Sequence, residues 1–512
     1  MNQICTRSNI PFIVSAQEKS YCDARDIPLP TISPLERFRE MFAFRNEIVL
    51  YSRKCDKTGQ DIISIYKPNT SFPVYEREVW LSDINDPLQY GRPYDFTKPF
   101  FQQFWELSQV VPREAKIGAN AENSPYVNLC MNVKNCYYTF GCLGDEDCMY
   151  SAKIYSCRDC VDCLYSMNCE LCYQCTNCHD CYQVRWAEHS FNCRDSAFLY
   201  ACRNCSNCFG CVGLEHKQYC IWNQQYSQQD YEIELNKLLT GKASDLIPAQ
   251  IKFTQLITDS SYQYQSIINC EDCDGAYIEN SKDCHHACFV KSGQELEHFF
   301  AGQKCKNCIS VTTAIEGELL YRSVAIGLNS YNSQFCYMGS KLVDCQYCGY
   351  VFAGEKMFGC IGFPRRGTYC ILNKQYSKEE YEELLPRIIA HMKSTGEWGQ
   401  FFPMWMSDFP YTDTIAQEYF PITEGEGKRL SVHWAEPKPA PHIDNPYHIP
   451  DNIQAVDDSI CQAILTDEIS ERAYRLQRKE LEFYRKHTIP IPRLSFETRH
   501  LNRSQKLLKS LQ

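Results

Sequence analysis

The chain has 512 residues, a net charge of −11 and an apolar fraction of 44%, which allows three or four domains with buried cores and excludes a chain disordered throughout. No apolar run approaches the length of a membrane span, and the opening MNQICTRSNIPFIV lacks the basic start and long apolar core of an export signal. A soluble, cytoplasmic protein is expected.

In a reducing compartment, 33 cysteines favour metal ligation or buried thiols over disulfides. Residues 1–60 carry Cys5, Cys22 and Cys55, and Cys55 is followed by Thr58 and Gly59 where a zinc knuckle would place its second cysteine and glycine. Three scattered ligands make a poor tetrahedral site, so this segment reads as a small helical or mixed domain with buried cysteines, resembling a degenerate zinc unit. Residues 61–125 are rich in aromatics and Pro/Asp turns and predict short strands, then a helix from Pro99 to about Val110. Its Phe100, Phe101, Phe104, Trp105 and Leu107 are expected to pack against the neighbouring repeat.

Residues 126–226 hold the strongest pattern in the chain. From Cys130 to Cys220, eighteen cysteines fall on a single frame of three residues, and Ser166, Val184, Ala187, Ser190, Ser196 and Leu199 occupy the same frame. Neither a helix nor a flat strand puts every third residue inside. A narrow β-solenoid does, with twelve residues per coil, a corner every three and four small inward side chains per coil. Asn or Asp often precedes the inward position, as at Asn168, Asp180, Asn192 and Asn204, and these residues tolerate the left-handed angles that corners require. In its period the repeat resembles the twelve-residue β-helix of insect antifreeze proteins, but it lacks their Thr-x-Thr face, so that activity is not implied.

Residues 227–268 predict a helix capped by Ser227 with Asp230, followed by a linker, and residues 269–376 repeat the cysteine plan with a slipped frame. FGCIGFPRRGTYCILNKQYSKEEY restates FGCVGLEHKQYCIWNQQYSQQDY with one insertion. Residues 377–436 predict a helix and an aromatic wrap, and residues 437–450 a Pro-rich linker. The last segment, 451–512, echoes the first: Ile489-Pro490-Ile491-Pro492 matches Ile27-Pro28-Leu29-Pro30, Glu480 matches Glu18, Arg499 matches Arg37, and Ile460-Cys461 is paired with Ile4-Cys5 across a six-residue insertion. The paired FGC…YCI.N.QYS motifs and related ends resemble a large cysteine-rich bacterial family, met mainly in environmental genomes, for which no activity and no catalytic residues are implied.

The expected fold is mainly β with α: two narrow cysteine-lined β-solenoid modules, each followed by a helix, flanked by small terminal α+β domains. Three chemistries stay open for the thiols: small packing groups, metal ligands, or cross-core disulfides between residues six apart. Cys169, Cys172, Cys175 and Cys178 form the densest candidate metal site, with zinc as the candidate cofactor, and CHHAC at 284–288 is the one tight Cys/His cluster. The segment from residue 472 onward carries a local charge of +8 and leaves −19 on the body. Arg472, Arg475, Arg478, Lys479, Arg485 and Lys486 are therefore candidate phosphate contacts. The leading expectation is a non-catalytic scaffold for a protein or nucleic-acid partner. A nucleic-acid- or ribosome-associated zinc-binding factor and a thiol- or metal-dependent enzyme are its rivals, and the chain has no phosphate-cradling glycine loop, G-x-S-x-G elbow or H-E-x-x-H.

Overall fold

The computed structural model describes residues 1–150, 182–260, 321–327, 330–436 and 447–509. It also describes the strands at 152–155, 164–167, 176–179, 267–268, 275–279, 287–290 and 312–314, and the single positions 161, 270 and 271. Strands and helices are mixed along the chain. Two compact units result: Met1–Lys116 groups with Gln265–Ala435, and Ile117–Tyr264 groups with Glu436–Lys509. Each cysteine repeat thus belongs with the terminal segment farther from it in sequence.

In the unit holding the first repeat, corner residues follow the three-residue frame. From Gln183 to Trp222 every third residue, fourteen in succession, has φ between +50° and +68°. From Gln183 to Gly210 the residue after each corner is inward. Val184, Ala187, Ser190, Cys193, Leu199, Cys202, Cys205, Cys208 and Cys211 are all at or below 2% exposure. The intervening segments pair in parallel with a register of twelve, as in Val184↔Ser196, Leu199↔Cys211 and Cys208↔Cys220, within one ten-stranded sheet. Left-handed angles cost a non-glycine residue about 1–2 kcal/mol, and corners here include Trp186, Phe198 and Tyr219 besides Asn and Asp. Hydrogen bonding along the stack offsets that cost. Backbone N–H groups bond carbonyls thirteen residues back, as in Gly141 to Asn128 (3.1 Å) and Asn204 to Phe191 (3.0 Å). Corner amides form ladders too, Asn123 to Asn135 (2.9 Å) to Asp147 (3.1 Å).

The YCI.N.QYS motif ends this sheet. Asn223 accepts the N–H of Val212 (2.9 Å) and donates to its carbonyl (3.0 Å), replacing the next strand's backbone, and Ile221 and Gln224 form an antiparallel turn across the edge. Ser227 then caps the helix Gln228–Leu238. In the other unit Asn373 makes the same pair of bonds to Ile361 (2.8 and 2.9 Å), and Ser377 with Glu380 forms a capping box on Lys378–Ser394.

The second repeat keeps the twelve-residue register at Tyr337↔Gly349↔Ile361 and steps by thirteen at Val324↔Tyr337 and Gly354↔Gly367. Those two single-residue insertions account for the frame slips before Cys336 and before Cys370. The helix Phe100–Ser108 is shorter than expected, and its first N–H groups, on Phe100 and Phe101, bond the Glu397 carboxylate (2.8 and 2.7 Å). Phe100 packs on Tyr347 and Phe358 of the second repeat and Phe104 on Phe402. These partners are some 250 residues or more away in sequence, where the reading from local order had placed the adjacent repeat.

The two termini share a fold in ungapped register. The hairpin Asn2–Ile4/Pro11–Ile13 and the helices Ala16–Ala24 and Pro34–Phe42 correspond to Leu465–Thr466/Ala473–Tyr474, Arg478–Lys486 and Phe496–Lys509, each residue number differing by 462. The expected pairing of Ile460-Cys461 with Ile4-Cys5 is corrected by this register. The counterpart of Cys5 is Asp467, because the Asp467 N–H bonds Arg472 (2.9 Å) as the Cys5 N–H bonds Ile10 (3.0 Å), and no insertion is needed. Both copies bury an acid–base pair. Glu18 and Arg37, each fully buried, are joined directly, with a second contact at 3.3 Å. Glu480 and Arg499 stand 3.7 Å apart.

Candidate functional site

Of the four cysteines expected to bind metal, Cys169, Cys172 and Cys175 lie outside the described residues. Cys178 is described only as part of the strand Thr176–His179. Cys284, His285 and His286 also lie outside the described residues. Among the described residues, no group of three His, Cys, Asp or Glu is placed to hold a metal ion, and the described cysteines are free thiols.

Hydrogen-bond direction sorts these thiols into two kinds. Repeat cysteines donate to the carbonyl two residues before, and many also to the one nine after. Cys130 reaches Asn128 (3.2 Å) and Thr139 (3.2 Å), Cys202 reaches Tyr200 (3.5 Å) and Cys211 (3.4 Å), and Cys336 reaches Gln334 (3.2 Å) and Cys345 (3.6 Å). Thr139 occupies the same frame and makes the same two bonds, to Tyr137 (3.3 Å) and Cys148 (3.5 Å). The position therefore selects a small donor. Burial pushes Cys142, Cys345 and Cys360 well above an ordinary thiol and Cys370 up to about 12, since a thiolate in apolar surroundings ringed by carbonyl oxygens is doubly disfavoured. Cys205 follows the same rule, reaching Arg203 (3.2 Å) and Leu214 (3.3 Å).

Hairpin cysteines face the opposite polarity. The Cys5 Sγ accepts the Ser8 N–H (3.4 Å) and the Cys55 Sγ accepts the Glu76 N–H (3.4 Å). Burial raises Cys5, but the Ser8 side chain and the N–H groups of Ser33, Ser8 and Arg7 outweigh it and bring the thiol down to about 7. Cys55 is lowered in the same way, burial being outweighed by Thr58 and the N–H of Glu76. Asp467 stands in an equivalent nest. Its carboxylate accepts the N–H groups of Ile469 (2.9 Å), Ser470 (2.8 Å) and Ser495 (2.6 Å), and these bonds overcome burial to hold it well below the usual carboxylate range. Searching for cysteine alone missed Asp467. The ungapped register was the signal that would have found it.

All six candidate phosphate contacts are exposed. Arg478 lies 3.3 Å from Glu482, Lys479 lies 3.3 Å from Asp147, and Arg485 lies 2.6 Å from Asp458, so these three are already paired with acids. Arg472 and Arg475 flank the strand Ala473–Tyr474 and form no ion pair among the described residues. In the N-terminal copy the six equivalents are Ile10, Ile13, Ala16, Gln17, Asp23 and Ala24. The fold itself does not require a base at any of them.

Comparison with protein-family profiles, with curated proteins and with solved structures gives no match. Among the described residues no helix is long and apolar enough to cross a membrane.

Proposed function

We propose that this protein is a non-catalytic repeat scaffold that binds a macromolecular partner, its two cysteine repeats each coiling as a narrow β-solenoid. The observation that carries the reading is the polarity of the repeat thiols: each donates to its own wall, Thr139 replaces Cys in the same two bonds, and Ser190 and Ser196 keep the one two residues back, so the interior is a packing device. The left-handed corner at every third residue, the register of twelve and the matching end caps support the coil. A structural zinc ion belongs to this proposal at Cys169, Cys172, Cys175 and Cys178, and elemental analysis of protein purified under reducing conditions tests it. Zinc at substoichiometric levels removes it.

A polyanion such as single- or double-stranded nucleic acid is the second reading, favoured by the confinement of the basic set to one of two like-folded copies. Phosphate contacts make binding salt-dependent. The Arg472→Glu/Arg475→Glu variant keeps every described ion pair and is expected to elute from heparin and from RNA at markedly lower salt than the wild type. Unchanged elution would remove nucleic acid and leave a protein partner.

A further inference from the structure

The two ends of the first repeat are finished differently. Its C-terminal edge is closed by the Asn223 turn and the helix behind it. Its N-terminal edge is the strand Gly118–Glu122, which pairs in parallel with Cys130–Lys134 on one side. Asn120, Ala121, Glu122 and Asn123 are exposed in succession, as they would not be beneath a preceding coil. The hydrogen-bond rule of the repeat says where the free groups point. Residues bond carbonyls thirteen back (Asn135 to Glu122, 3.0 Å) and receive from N–H groups eleven back (Met131 to Cys142, 2.9 Å). Applied one coil down, it turns the N–H groups of Asn120 and Asn123 and the carbonyls of Gly118 and Ala121 outward. Among the described residues of this unit no hydrogen bond meets them.

An open strand edge recruits another strand unless charge, proline or a cover prevents it; this strand has no proline, and its one charge, Glu122, is paired with Lys134. Its corner ladders also end there. Asn120 donates to Asn132 (2.8 Å) and Asn123 to Asn135 (2.9 Å), which leaves the terminal amide oxygens facing outward. We propose that the strand Gly118–Glu122 pairs with the same strand of a second copy, making the protein a two-fold dimer.

Self-complementarity selects a second copy as the occupant. A two-fold interface joins a patch to itself, and the edge presents backbone N–H groups and carbonyls alike, so it can satisfy its own image. Charge does not oppose the contact although the chain carries −11, because Glu122 is neutralised by Lys134 at 3.2 Å. Ala119 and Ala121 permit close approach. Above Ala119 runs a column of Met131 and Leu143, each 40% exposed, which the partner's column would continue.

Analytical ultracentrifugation of the full chain over a concentration series, with hydrogen exchange at Asn120 and Asn123, tests the assignment. Expected are a species of twice the 59.6 kDa chain mass, slow exchange at both amides, and a return to monomer with fast exchange in Ala121→Lys, which places charge on the edge. Ala121→Ser should stay dimeric, and both variants should keep the wild-type circular dichroism. A wild type that stays monomeric overturns the proposal. So does a dimer that Ala121→Lys leaves intact or whose edge amides exchange fast.

Discussion

The hairpin and two helices at the N-terminus and their counterparts at the C-terminus are one fold with two chemistries. What they share marks what the fold needs: the nest at Cys5 and Asp467, the left-handed residue four further on at Asn9 and Glu471, and the buried pairs Glu18–Arg37 and Glu480–Arg499. What differs is free to serve a partner. The N-terminal hairpin exposes Ile4, Ile10 and Ile13, and the C-terminal one presents Arg472 and Arg475. The pairs themselves are completed differently. Glu18 receives the hydroxyl of Tyr321, 303 residues away (3.4 Å), whereas Glu480 receives that of Tyr484 on its own helix (2.8 Å), at the position of Cys22.

Breaking the buried pairs gives the largest expected difference. Glu18→Ala leaves Arg37 charged and fully enclosed and should destabilise its unit by about 3–5 kcal/mol. Glu480→Ala, whose arginine lies beyond hydrogen-bond distance, should cost about 1–3 kcal/mol through the stranded Tyr484 hydroxyl. Urea unfolding of the two variants reads the order, and equal losses would mean the two pairs are equivalent in strength.

Acid should separate the two units by sign. Burial, only partly opposed by Arg77, raises Glu114 to about 7. The folded carboxyl then holds its proton where the unfolded one has lost it, so the N-terminal unit gains stability as pH falls from about 7 towards 4.5, by about 3 kcal/mol. Glu114→Gln should abolish that slope. Asp467 works the other way. Its folded carboxyl sits below its unfolded value, so its contribution is present above about pH 4 and lost as pH falls below it. Thermal unfolding at pH 8, 5 and 3 should show the N-terminal unit rising over the first interval, and the Asp467→Asn variant should lose less stability than the wild type over the second.

Smaller effects are expected at the end caps. Asn373 is fully buried and Asn223 is exposed, so Asn373→Ala should cost about 1–3 kcal/mol and Asn223→Ala less, again by urea unfolding.

Much of the repeat was legible in the sequence because its geometry acts residue by residue. A corner every third position admits only small inward side chains, which is why Val184, Ser190 and Leu199 could be placed alongside Cys193 and Cys202. The grouping of the termini was not legible, since Tyr321 with Glu18 and Phe100 with Tyr347 join residues hundreds apart without a local pattern. Thiol polarity was hidden for a related reason. Composition counts Cys5 and Cys202 alike, while the backbone groups facing each sulfur are set only by the folded chain.

The central claim is that repeat cysteines are packing thiols and hairpin cysteines are the reactive ones. Native-state alkylation followed by peptide mapping, as a function of pH, tests it directly. The account predicts that, among the enclosed thiols, Cys5 reacts first, with a rate that turns over near pH 7, that Cys55 follows, and that Cys130, Cys202 and Cys336 react only on unfolding. Alkylation of those three in the native protein at the rate of Cys5 would contradict it.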